Sequence, residues 1–305
     1  MENNYYHTNL PNFQDYGYQV VRELGINNLA GRITYQAIIT STQTPVVIKQ
    51  FRFCNSNANW TEYRAIEREI DVLKQLNHPQ IPRYLDHFDS GNGLCLVQEF
   101  KNAQPLSNPR SYNPEQIKKI AIQLLNILIY LQDKTGYPEP IYHRDIKPDN
   151  IIIRHHDQMP ILIDFGAIKE AIGTVMSPRG NSTSSIVIGT PGFMPPEQSI
   201  GRPVFSSDLY ALGLTAIYLL TGRIPEELET EPLTGEIIWR QYALNVSPTL
   251  ANAIDKAIKS QANQRFTTAQ MMRQAITKRG HPHGFEGRLH ARFHILHRQP
   301  HVERT

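Results

Sequence analysis

The chain has 305 residues, 40% of them hydrophobic, and a formal charge of +3. It can therefore bury a sizeable core and holds one large domain or two lobes, and so small a net charge gives no sign of a dedicated nucleic-acid binder. Two cysteines, Cys54 and Cys95, exclude a disulfide framework and a cysteine-built zinc cluster. The N-terminus, Met1-Glu2-Asn3-Asn4, has neither the basic start nor the apolar stretch of a signal peptide, so a reduced, cytoplasmic setting is expected. The longest apolar stretch, 209–220, falls short of the ~20 residues that a spanning helix needs and reads as a buried core helix.

In chain order, β-branched runs predict strands over 19–24, 33–40, 46–53 and 94–99. One helix interrupts them, from about residue 61 to 76, with Ile66, Ile70, Leu73 and Leu76 at helical spacing and His78-Pro79 as its stop. After Lys101 the character changes. Asn113 can cap a helix with Pro114 at its first position, and Ile117, Ile120, Ala121, Leu124, Leu125 and Leu128 then form an apolar stripe. Two short apolar runs, 151–153 and 161–163, read as strands joined by the turn-like His155-His156-Asp157-Gln158. A strand-rich half followed by a helix-rich half implies a cleft between them. No segment repeats at a fixed period, which excludes a solenoid or propeller.

Charged motifs sit beside these elements. His143-Arg144-Asp145-Ile146-Lys147-Pro148-Asp149-Asn150 precedes the run 151–153, Asp164-Phe165-Gly166 follows 161–163, and Lys49 ends Val46-Val47-Ile48-Lys49. Phosphoryl transfer asks a protein mainly to position the reactants and to neutralise charge, and these motifs supply the parts. Asp145 can take or orient the proton of an incoming hydroxyl, Lys147 can neutralise the transferred phosphate, and Asn150 and Asp164 can hold a divalent ion. Lys49 can reach the nucleotide phosphates while Glu69, on the lone helix, holds it in place.

The set VVIK, HRDIKPDN, DFG, GTPGFMPPE and SDLYALG resembles the protein kinase family over about residues 16–279, and within it the bacterial serine/threonine kinases of the cyanobacterial kind. The resemblance implies an α+β chain with the bilobal protein kinase fold: a small β-rich N-lobe (16–101) with one long helix and a larger, mainly helical C-lobe (102–279). An N-terminal segment (1–15) and a His/Arg-rich tail (280–305) would flank it. It also implies ATP and Mg2+, with Mn2+ as the other candidate ion. The γ-phosphate would pass to Ser/Thr hydroxyls of protein substrates, the chain itself among them, with no nucleic-acid partner and no membrane span.

Carried over position by position, the resemblance makes Asp145, Lys147 and Asn150 catalytic and Asn150 and Asp164 metal ligands. Leu24, Gly25, Gly31, Ile33, Val47, Lys49, Glu69, Gln98, Glu99 and Phe100 become nucleotide contacts, with the backbone of residues 99–101 as the hinge facing adenine. Lys147 and Thr190 are associated with serine/threonine specificity. Glu197 and Arg265 should form a buried ion pair, Asp208 should anchor the catalytic-loop backbone, and Leu73, Tyr84, His143 and Phe165 should stack between the lobes.

The glycine-rich loop departs from the pattern. Residues 24–33, LGINNLAGRI, lack the middle glycine and are one residue longer, so Asn27 or Asn28 is expected to take a left-handed conformation and ATP affinity to fall. Val47 stands where a small alanine is usual. The alternative reading is a pseudokinase scaffold with weakened ATP binding; a small-molecule phosphotransferase would share the metal and base motifs but would not need GTPGFMPPE. Ser177, Ser182, Thr183, Ser184 and Ser185, near Arg179, are candidates for autophosphorylation with Arg144 receiving the phosphate. In the tail, His290, His294 and His297 are spaced for a metal, and Leu289, Phe293 and Leu296 for a docked helix.

Overall fold

The computed structural model describes residues 10–27, 31–52, 60–107, 112–133, 141–165 and 192–278. The expectations placed on Asn28, Cys54, Gly166, the serines of 169–190, Thr190 and the tail after 279 lie outside these residues.

The first half is a five-stranded antiparallel sheet in the order β1-β2-β3-β5-β4. Its strands are β1 Tyr18–Asn27, β2 Arg32–Ile39, β3 Pro45–Phe51, β4 Tyr84–Asp89 and β5 Leu94–Glu99. Residues directly opposite one another in an antiparallel pair share a face. Ile33 opposes Gln50, Tyr35 opposes Ile48 and Ala37 opposes Val46. The apolar members of that set, with Cys95 and Val97 of β5, form a buried outer layer. Phe13 covers it, 2% exposed and edge-on to Tyr35 and Phe88 at 6.1 and 5.4 Å. The packed lobe thus begins before residue 16, the expected boundary of the domain.

The opposite face carries Phe51, Leu94 and Leu96, which join Ile66, Ile70 and Leu73 of helix α1 (Trp60–Gln75) in the main core. Period-2 alternation on the strands and 3.6-residue spacing on the helix therefore meet on one side of the sheet. Two strands carry no clear sequence signal. β4 is an edge strand whose residues are mostly exposed, and β6 (Ala103–Pro105) has three residues.

β6 joins β7 (Ile151–Arg154) and β8 (Pro160–Leu162) in a second antiparallel sheet. Helices make up most of the remainder. Helix α2 (Pro114–Gln132) starts on a reciprocal cap: the Gln116 amide donates to Asn113 Oδ1 and the Asn113 amide to Gln116 Oε1, both at 2.9 Å. Its stripe from Ile117 to Leu131 is buried against α4 (Phe205–Thr221) and α6 (Ala269–Thr277). α4 is the expected core helix. It stops where Gly222 adopts φ 68°, the left-handed conformation that glycine enters at little cost. The short α3 (Pro196–Ser199) and α5 (Pro248–Ala257) complete this half.

The β4–β5 turn offers a test of the upper lobe. Gly93 has φ 131°, and a Cβ there would stand 2.0 Å from the Phe51 carbonyl oxygen. Gly93→Ala is therefore expected to cost about 1–3 kcal/mol through local strain, read as a lower urea midpoint with an unchanged slope.

Candidate active site

Between the two halves lies a cavity of about 560 Å³, within the range that holds a nucleotide-sized ligand. Its upper wall is the inner face of the sheet, the one that also carries Phe51 and Leu96, with Leu24, Gly25, Arg32, Thr34, Val47 and Lys49. Gln98, Glu99, Phe100 and Lys101 run along its back, and Asn150, Ile152, Ile163 and Asp164 form its floor.

The floor is held by a buried carboxylate. Asp208 of α4 is 1% exposed and accepts the backbone amides of His143 and Arg144 at 2.8 and 2.7 Å. Burial raises its pKa against the pull of those amides and of the nearby His143 and Arg144 charges. Gln198 of α3 ties the same loop from the other side, its amide 2.6 Å from the Arg144 carbonyl. Arg144 takes φ 66°, a strained value for a side chain of this size, and these bonds hold it there.

Asp145 does not line the cavity itself. It is fixed to Asn150, which does: the Asn150 amide donates to Asp145 Oδ2 at 2.6 Å and to the Asp145 carbonyl at 2.8 Å. Both bonds use the amide nitrogen, which leaves the carboxamide oxygen for a cation. Lys147 stands with Nζ 3.5 Å from Asp145 Oδ2. The three expected catalytic residues thus meet on one loop.

Asp164 follows β8 with φ 66°. Burial alone would push its carboxyl up, but Lys49 and Arg32 beside it overcome this and hold it well below the ordinary carboxylate range. Arg32 makes a fork of two 2.6 Å bonds to the two carboxylate oxygens, and Lys49 Nζ lies 3.6 Å from Oδ1. The expectation pairs Lys49 with Glu69. Here its ion pair is with Asp164, while Glu69, fully buried on α1, adds to the negative field that keeps the Arg32 guanidinium charged.

The register of β2 corrects the expected nucleotide contacts. Ile33 faces the outer layer, 7% exposed beside Tyr35 and Ala37, and Gly31 is also absent from the cavity lining. Thr34, directly opposite Lys49, and Arg32 face the cavity instead. The alternation Arg32-Ile33-Thr34-Tyr35-Gln36-Ala37 carries this signal, because its apolar members must share the buried face. Counting forward from Gly31 across a loop one residue too long reaches the wrong side of the strand. Exchange of the two positions checks the assignment. Thr34→Phe is expected to weaken nucleotide binding at least tenfold at near-native stability, whereas Ile33→Ala costs about 2–5 kcal/mol and leaves affinity in the folded protein unchanged.

The other expectations from the motifs meet the following geometry. The rings of His143 and Phe165 are edge-on at 4.8 Å, Leu73 lies in the same core, and Tyr84 packs against it. The Glu197 carboxylate receives both terminal nitrogens of Arg265, at 2.6 and 2.9 Å, and the Ser207 hydroxyl at 2.6 Å.

Comparison with known proteins agrees with this arrangement. The protein kinase domain family matches residues 18–276. The chain belongs to the protein kinase family. It is 46% identical over 270 residues to the serine/threonine-protein kinase PknA of Nostoc sp., covering 86% of this chain and 47% of that protein. It is 41% identical over 268 residues to serine/threonine-protein kinase C of Synechocystis sp., covering 85% and 49% respectively. The chain spans about half the length of these relatives. Among solved structures, the fold is shared with one titled PpkA-294 apo form, at TM-score 0.66 and 22% identity, covering 85% of this chain and 96% of that one. It is also shared with the kinase domain of PknI from Mycobacterium tuberculosis, at TM-score 0.64 and 22% identity, covering 85% and 95%.

Proposed function

We propose that this chain is a serine/threonine protein kinase that transfers the γ-phosphate of ATP to hydroxyls of protein substrates. The observation that carries the reading is the convergence of Asp145, Lys147 and Asn150 on one clamped loop, with Asp164 beside it on the floor of a nucleotide-sized cavity and Lys49 on the opposite wall. The likeness to PknA of Nostoc sp. and kinase C of Synechocystis sp. supports the serine/threonine class.

The residues also fit a hard divalent ion. Asn150 and Asp164 offer oxygen donors on the floor, and among the described residues no group of three or more His, Cys, Asp or Glu side chains forms a cage. That sparse set suits magnesium, which takes one or two carboxylates together with substrate phosphates. When bound, the ion would neutralise charge on the phosphates. In this reading Asp145 accepts or orients the proton of the substrate hydroxyl, Lys147 balances the transferred group, and Lys49 anchors the nucleotide. Glu99, Phe100 and Lys101 offer the adenine edge their backbone, with the Glu99 side chain held aside by Lys101 at 2.8 Å.

The proposal extends to a cytoplasmic, signalling enzyme that also modifies its own segment 169–190. No helix among the described residues is long and apolar enough to cross a membrane. Transfer of labelled phosphate from ATP to a generic protein substrate and to the chain itself tests the activity. Wild type should label both, and an absence of labelling in fully folded protein would overturn the reading. Phosphosite mapping of the labelled chain then checks 169–190.

A further inference from the structure

Arg32 has no role in the mechanism above, yet it occupies the centre of the site. Its guanidinium spans both oxygens of Asp164, and Lys49 approaches the same carboxylate. Two cations therefore already balance the group assigned to hold a divalent ion. While both Asp164 oxygens accept from the fork, they are poorly available to a metal. The guanidinium is also not saturated: its Nε–H is buried and has no acceptor among the described residues. A buried donor left unmade costs on the order of 1–3 kcal/mol, so the side chain gains from a ligand with more oxygens than a carboxylate. A phosphate is such a ligand, and the planar fork matches carboxylate and phosphate alike. Arg32 lines the cavity next to Thr34, at the end of a loop whose middle glycine is missing; Asn27, the last residue of β1, pairs with Arg32 and does not take the left-handed conformation expected of it.

We propose that Arg32 is a phosphate-binding residue that exchanges partners: it holds Asp164 when the cleft is empty and moves to the nucleotide phosphates when the cleft fills, freeing Asp164 for the metal. The inference rests on the nucleotide-cleft reading above. Its consequence is positive coupling between metal and nucleotide. A metal alone must displace the guanidinium, a nucleotide alone must draw it from Asp164, and each lowers the cost met by the other. The side chain supplies a contact that the glycine-poor loop gives less well through its backbone.

The test measures binding separately from turnover. Mn2+ alone is titrated by electron paramagnetic resonance, and a non-hydrolysable ATP analogue in EDTA by calorimetry. In Arg32→Ala, Mn2+ alone should bind at least tenfold tighter and the metal-free analogue at least tenfold weaker, with Arg32→Lys between. Both affinities within twofold of wild type, a change in only one, or a fall in both would overturn the exchange. Asp164→Asn provides an independent arm, because it releases Arg32: the metal-free analogue should bind tighter than to wild type, and unchanged or weaker binding would count against the proposal. If the analogue with Mg2+ does not bind wild type at all, the nucleotide-cleft reading falls. If it binds and the variants behave as wild type, only the role of Arg32 falls.

Discussion

Asp145→Asn should lower phosphoryl transfer by about 10²–10⁴-fold or more while nucleotide affinity stays within roughly twofold. Asparagine keeps the shape of the side chain but cannot take the proton of the incoming hydroxyl. The split between binding and turnover follows from geometry, because Asp145 lies outside the cavity lining and reaches the cleft through Asn150. Single-turnover labelling with ATP, run beside an equilibrium binding titration, separates the two quantities. Equal labelling by variant and wild type would remove Asp145 from the role of base.

The second large effect is structural. Arg265→Ala should destabilise the fold by about 3–5 kcal/mol, because it removes a fully buried guanidinium and strips the partly buried Glu197 carboxylate of its charged partner. The Arg265 side chain is 0% exposed, and besides Glu197 it donates to the carbonyls of Lys259 and Ser260 at 2.6 and 3.0 Å. Those carbonyls would lose their donor as well. In a domain of this size the loss should lower Tm by more than about 6 °C. The pair also fixes a pH dependence. Burial pushes the Glu197 carboxyl up, but the hydrogen bonds from Arg265 and Ser207 outweigh it and leave the group below its ordinary value. A carboxyl lowered by folding contributes stability that is complete above its unfolded pKa and is lost as pH falls through the folded one. Acid titration of Tm should show that loss in wild type, and a much smaller one in Arg265→Ala.

Local and repetitive features are legible in the amino-acid sequence alone. The stripe of α2, its Asn113-Pro114 start and the β-branched run of β3 are short-range patterns, and each element forms where its pattern lies. The loop from His143 to Asn150 is legible for a related reason, since its catalytic side chains sit within one turn of chain and need little from elsewhere to meet. β4 escapes because an edge strand exposed to solvent need not be apolar, and Tyr84-Leu85-Asp86-His87-Phe88-Asp89 sets Asp86, His87 and Asp89 among its apolar and aromatic side chains. Ile33 is misplaced by motif counting because side-chain direction on a strand depends on pairing register, which a loop of unusual length conceals. The Arg32–Asp164 contact joins residues 132 positions apart, and no spacing in the sequence encodes it.

The short helix α3 has a consequence for how the site works as an object. Glu197 reaches down to Arg265 at the base of the helical half, and its neighbour Gln198 reaches across to the catalytic loop, which Asp208 of the core helix grips as well. Consecutive side chains thus brace the floor from two directions, and Asp145 stands on an anvil with little freedom to yield. The adjustable parts are then those hung from the sheet above, Lys49 and Arg32, with Asp164 at the seam. Timing in such a machine belongs to its ceiling.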